Sequence, residues 1–176
     1  MRADAVRNRE LLLEVALDAF THEKDVTLGA IAKKAGVGIG TLYRHFPTRE
    51  ALIEAVYRTE LEKLCDAALE LLETLGPEAA LREWMDRFIA YAATKRDLKE
   101  ALQAVIALGI NPFEQSRAKM TEAVSLLLKP LGATTDPMDL LALLVGVAQN
   151  GDQDQARRML DLIMAGVLHG AARTAR

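Results

Sequence analysis

The chain is poor in the features that mark secretion, membrane insertion or metal chemistry. It has one cysteine, Cys65, so no disulfide can form within it, which suits a reducing compartment. A packed or half-exposed thiol is the plain reading of Cys65, because reactivity would need a lowered pKa. A redox switch is the alternative. No signal-peptide pattern opens the sequence, and its longest apolar run, residues 140–148, is far too short to span a bilayer. A cytoplasmic protein without a membrane partner is expected. The three histidines, His22, His45 and His169, share no spacing, and none follows a Glu by three residues, so the di-iron pattern of helical bundles is missing. Zinc spacing, a phosphate loop and a nucleophile elbow are missing too. The expectation is no catalytic residue, no metal and no cofactor, hence no enzyme. A helical-bundle enzyme stays as the alternative from another class.

An excess of positive charge is also lacking. The net charge is −3, and within the first 60 residues nine Lys and Arg balance nine Asp and Glu. Any affinity for nucleic acid must therefore come from local placement of Arg2, Arg7, Arg9, Lys33, Lys34, Arg44 and Arg49.

What is present is apolar residues at helical spacing, densest in meaning over residues 27–50. Leu28, Ile31, Ala32 and Ala35 fall at i, i+3, i+4 and i+7, one stripe on a short helix. Thr27 is placed to cap it, and Gly36 follows where the chain must turn. The next helix, about residues 39–46, turns Leu42 and Phe46 inward. Pro47 stops it, and Thr48 caps a third helix beginning Arg49-Glu50. Two helices joined by a tight glycine turn form a helix-turn-helix, whose second helix enters the DNA major groove. On that helix only Arg44 has the fork suited to guanine O6 and N7, while Ile39 and the Thr41 methyl suit a thymine methyl.

These residues resemble the DNA-binding domain of the TetR family of bacterial transcriptional regulators. The strongest part is Thr41-Leu42-Tyr43-Arg44-His45-Phe46, followed by Pro47-Thr48-Arg49-Glu50-Ala51-Leu52, with Ile31-Ala32 and Ala35-Gly36-Val37 before it. Tyr91-Ala92-Ala93-Thr94-Lys95-Arg96 is similar, more weakly, to the C-terminal domain of the SbtR-like subgroup. The resemblance implies base reading by Ile39, Gly40, Thr41 and Arg44, and phosphate anchoring by Thr27, Tyr43, His45, Thr48 and Arg49. A family position that often reads a base is Gly29 here, which leaves Lys33 as the backbone contact from the first helix of the motif.

The remaining pattern is helical throughout and free of flexible linkers. A first helix is expected over residues 8–21, preceded by a short arm carrying Arg2 and Arg7. The helix from Arg49 has no breaker before Gly76-Pro77 and runs about 25 residues, or roughly 40 Å. Gly76-Pro77, Asn111-Pro112 and Asp136-Pro137 read as helix starts, as does Asp97 with Glu100. The last two helices, about residues 137–149 and 153–169, are apolar nearly all round and need cover on every side. A second subunit is the expected cover, through Leu140, Leu144, Val147, Leu160, Ile163 and Val167. The alternative is a monomer in which they are simply core.

The expected architecture is all-α, of about nine helices. Residues 1–48 form a three-helix DNA-binding domain. Residues 49–176 form the connecting helix and a C-terminal bundle for ligand binding and dimerisation through the last two helices. The expected function is a homodimeric repressor released from a palindromic double-stranded operator by a small apolar or amphipathic effector. A pocket is expected among Trp84, Met85, Phe88, Tyr91, Leu102, Ile106, Phe113 and Met120. A DNA-binding regulator without an effector is the other possibility.

Overall fold

A computed structural model describes residues 2–23, 25–149 and 152–174, with side chains from residue 4 to residue 170 of these. They form nine α-helices: α1 (Arg2–His22), α2 (Leu28–Lys34), α3 (Ile39–His45), α4 (Arg49–Thr74), α5 (Pro77–Asp97), α6 (Lys99–Ala107), α7 (Ser116–Leu128), α8 (Pro137–Ala148) and α9 (Gln153–Thr174). A single 3₁₀ turn, Lys129–Leu131, follows α7 and ends at Gly132, which takes the left-handed conformation at φ 60°. None of the described helices is long and apolar enough to cross a membrane.

The helix starts follow the capping chemistry with two exceptions. Asp136 accepts from the Met138 amide at 2.7 Å, with Pro137 in the first turn of α8. Asp97, by contrast, ends α5 and caps nothing. The Leu98 amide already bonds to Thr94 O at 3.0 Å, so the helical ladder runs through this position and leaves Asp97 no orphan donor. Phe113 likewise lies in a turn over residues 112–115, and α7 begins at Ser116. The expected N-terminal arm is helix instead. Residues 2–7 contain no breaker, and Asp4 sits in the first turn, where a negative charge favours the helix. Arg7 is thus an exposed helical residue, and the Arg2 side chain lies outside the described residues.

The chain forms two compact units, one of Met1–Glu60 with Thr94–Pro112, the other of Leu61–Ala93 with Phe113–Arg176. The first therefore extends beyond the expected boundary at residue 48. It takes in the first half of α4, with Leu52, Ile53, Val56 and Tyr57 buried, and α6, with Leu102 and Val105 buried. Lys95 at the end of α5 stands 5.9 Å from the centre of the Tyr57 ring in the same unit, and burial pushes its ammonium pKa down. In the second unit Trp84 is fully buried, and its indole N–H donates to Leu64 O at 2.8 Å.

Burial divides the residues of the terminal helices. Leu140, Leu144, Val147, Leu160 and Val167 are all buried within the single chain, and only Ile163 of the expected set is part-exposed. α8 and α9 pack on one another, and α7 packs on α8, so these side chains already have intrachain cover. The uncovered apolar surface on α8 and α9 is instead Met138, Leu143, Val145 and Leu162, with the last 73% exposed.

Candidate nucleic-acid interface

The reading unit is built by local chemistry that the sequence states directly. Thr27 is extended at φ −90°, ψ 154°, and its Oγ1 accepts the Ala30 amide at 3.2 Å, starting α2. α2 ends where Gly36 adopts φ 66°. There the Gly36 amide bonds to Lys33 O at 3.1 Å and the Val37 amide to Ala32 O at 3.0 Å, the paired closure of a Schellman turn. A side chain at Gly36 would be strained by its backbone, so the turn needs glycine. α3 then begins at Gly38, which offers no side-chain cap, and closes with the Phe46 amide bonded to Leu42 O at 2.8 Å. Thr48 Oγ1 accepts the Ala51 amide at 3.0 Å and starts α4.

Burial divides α3 into an anchored face and an open one. Leu42 is fully buried and Phe46 is 3% exposed, while Ile39 is 45% and Tyr43 50% exposed. Gly40 and Arg44 are exposed with them, and Thr41 and His45 are half-buried. A Cβ added at Gly40 would meet no atom within 4 Å outside its own stretch of helix, so among the described residues that point is uncovered. The open face is therefore Ile39, Gly40, Tyr43 and Arg44. Two large apolar side chains flanking a guanidinium are costly to leave in water and suit a groove that offers thymine methyls, base edges and sugar.

The cations fall into two groups. Lys33 and Arg44 are exposed and form no ion pair among the described residues. Lys34 is paired with Glu23, which raises its pKa further. Arg9 has its guanidinium carbon 5.5 Å from the Phe46 ring centre. Arg49 stands 4.8 Å from the Phe20 ring centre, and its Nη1 donates to Val26 O at 2.6 Å. Of the expected anchors, Thr27 and Thr48 are exposed cap residues whose hydroxyls already accept one bond each.

The residues expected at an effector pocket are dispersed. Trp84, Met85, Phe88 and Tyr91 are buried in the second unit, and Leu102 is buried in the first. Ile106 is 46% exposed, and Phe113 and Met120 are half-buried. None of them lines the half-open groove of about 450 Å³ that the second unit carries between α4 and α7. Glu62, Cys65, Asp66 and Leu69 of α4 face Lys119, Glu122, Ala123 and Leu126 of α7 across it. Lys119 bonds to Glu62 at 3.3 Å. Burial pushes the Cys65 thiol up to about 11, with Lys119 opposing and Asp66, Glu122 and Glu62 reinforcing. Sequence reasoning missed this groove. Its one signal was Glu62 and Asp66, a carboxylate pair at i, i+4 beside the only thiol.

Comparison with known proteins follows the two halves of the chain. Residues 12–56 match the family described as bacterial regulatory proteins, tetR family. Residues 76–169 match the C-terminal domain of SbtR-like transcriptional regulators. An HTH-type transcriptional regulator of Staphylococcus aureus is 40% identical over 63 residues, which cover 35% of this chain and 34% of that protein. The match thus spans about a third of the length of such curated relatives. Crystal structures agree over much more. A TetR transcriptional regulator from Streptomyces coelicolor is 43% identical with a TM-score of 0.81, covering 90% of this chain and 97% of the other. A TetR regulatory protein from Mycobacterium vanbaalenii is 34% identical with a TM-score of 0.76, covering 94% and 98%.

Proposed function

The chain belongs to the TetR family of bacterial regulators and is a DNA-binding transcriptional regulator, and from that premise we propose a homodimeric repressor released from a palindromic operator by a small amphipathic molecule. The observation that carries the DNA-reading assignment is the open face of α3. Ile39, Gly40, Tyr43 and Arg44 project while Leu42 and Phe46 hold the helix down. Arg44 reads a guanine, Ile39 and Thr41 contact thymine methyls, and Lys33 with Tyr43 and His45 anchors the backbone.

A palindrome calls for a two-fold pair of such faces. The dimer is proposed through the uncovered side of α8 and α9, where Ala142, Leu143, Val145 and Gly146 form an exposed stretch without charge and Leu162 adds to it from α9.

For the effector, the groove between α4 and α7 is a better site than the expected core residues. Trp84 and Met85 are fully buried, so a ligand among them must first displace packed side chains. The groove requires no such opening. Leu69 and Leu126 offer apolar wall, and Asp66 and Glu122, which form no ion pair among the described residues, favour a positive end. α4 is one continuous helix that carries Glu62, Cys65, Asp66 and Leu69 as well as the first turn at Arg49. A shift forced at the groove is then passed along a stiff element. DNA and effector must each weaken the other by the same factor.

The test is selection of duplexes from a randomised library, followed by titration of the selected duplex with a panel of apolar cations. A palindromic consensus bound by a dimer, and an effector that lowers duplex affinity, are the expected results. Selection without any consensus contradicts base reading. Effector binding that leaves duplex affinity unchanged contradicts release.

A further inference from the structure

Arg49 opens α4 at a position that the family resemblance assigns to phosphate, yet its guanidinium is turned inward. Its guanidinium carbon lies over the Phe20 ring, 4.8 Å from the ring centre, near the end of α1. Its Nη1 donates to Val26 O at 2.6 Å. Both partners are largely buried, Phe20 at 9% and Val26 at 6% exposure, and Arg49 itself is half-buried. Val26 directly precedes Thr27, the cap of α2, and follows Asp25, a non-glycine residue at φ 57°. The connection from α1 to α2 is therefore a turn with unfavourable backbone at one residue, and it is closed by a side chain from α4.

We propose that Arg49 is a positioning residue for base reading and not a phosphate anchor. It clamps the end of α1, the start of α2 and the first turn of α4 into one rigid unit. The proposal rests on the DNA-binding reading of α3 and deepens it. α2 packs on both α1 and α3, so where Val26 is held decides where α2 and then α3 lie. A planar, forked cation suits this site, because a single group both lies over a ring and donates to a carbonyl. A lysine ammonium can lie over a ring or donate to a carbonyl, but as a compact point charge it lacks the planar fork that does both at once. Phosphate contact is left to Lys33, whose charge is exposed, together with Tyr43 and His45. Arg9 lies over Phe46 at the end of α3, so each phenylalanine of the reading unit has an arginine over its ring.

The two roles differ in what they do to DNA binding. Losing a phosphate contact weakens every duplex alike and lowers the slope of log affinity against log salt by about one. Losing position weakens base contacts, which need close registration, and leaves the number of released counterions unchanged. The experiment uses the full chain as wild type, Arg49→Ala, Arg49→Lys and Phe20→Leu. Each is titrated by fluorescence anisotropy at several salt concentrations, at a temperature where circular dichroism shows it folded. The probes are a duplex that the wild type has selected from a randomised library and an unselected duplex of equal length. Arg49→Ala and Arg49→Lys should each weaken the selected duplex about tenfold, the equivalent of losing one base contact, with the unselected duplex much less affected and the salt slope unchanged. Phe20→Leu should reduce discrimination in the same direction with every charge retained.

The proposal is overturned if Arg49→Lys keeps wild-type binding while Arg49→Ala weakens both duplexes equally and lowers the slope by about one. Unchanged discrimination in Arg49→Lys and Phe20→Leu overturns it as well, and these two variants decide the matter if Arg49→Ala fails to fold. A wild type that selects no sequence at all is a separate result, which removes the DNA-reading assignment of α3 itself.

Discussion

Arg44 carries the one guanidinium on the open face of α3, and nothing else in that helix offers two parallel donors to a base. Arg44→Ala should cost about 1–3 kcal/mol against the selected duplex and relax preference at a single base position. Competition binding against duplexes altered one base at a time checks this, and an unchanged profile would remove Arg44 from base reading. Cys65 makes a second residue-level test. Its thiol is pushed from the ordinary 9.0 up to about 11, chiefly by burial. Alkylation by iodoacetamide should therefore be slow at pH 8 and accelerate only as pH rises through 9 towards 11. The folded value is raised above the unfolded one, so the stability contribution of this group is complete below pH 9.0 and is lost as pH climbs through about 11. Urea unfolding of the wild type and Cys65→Ala across that window should show the wild type losing more. Parallel curves would argue against a protonated, desolvated thiol.

Among the elements, short helices depend most on their ends. α2 has seven residues, too few to be stable alone, so the Thr27 cap and the Gly36 turn carry a large share of its definition. Thr27→Ala should lower the unfolding free energy by about 1 kcal/mol, as should Thr48→Ala at α4, both read from denaturant midpoints. Signals of this kind are local, which is why the helix-turn-helix is legible in the sequence. Thr27, Gly36, Pro47 and Thr48 act on neighbours within four residues, and Leu42 with Phe46 marks the anchored face unaided. What could not be read involves distant partners. Arg49 meets Val26 and Phe20 only when α1 folds back, and the α4–α7 groove joins Glu62 to Lys119 across 57 positions. The inner and outer faces of α8 and α9 were illegible for another reason. Helices that are apolar on nearly every side contain no polar stripe to distinguish the inner face from the outer, so Leu140 and Leu144 were indistinguishable from Leu143 by pattern. Asp97 shows the limit of a capping box, which is overruled when the preceding helix has not yet ended.

For the whole molecule, the inner and outer faces of α8 make the proposed dimer separable from the fold. Leu143→Glu with Leu162→Glu should give a folded monomer, since both side chains are exposed within one chain at 54% and 73%. Leu144→Glu should instead unfold the chain, because it places a carboxylate at a fully buried position. Sedimentation with circular dichroism distinguishes the two results. A double variant that remains dimeric at micromolar concentration would place the interface elsewhere.

The intrachain contacts of Lys34 with Glu23 and of Arg9 and Arg49 with phenylalanine rings also bear on how the protein finds its target in a crowded chromosome. A regulator with a broadly basic head spends most of its time on arbitrary DNA, because any stretch of duplex satisfies its charges. Here the first 60 residues are charge-balanced, and several of their cations face their own chain. The genome is then a weak sink. Few copies per cell should suffice to occupy an operator, and the freely diffusing pool should be large.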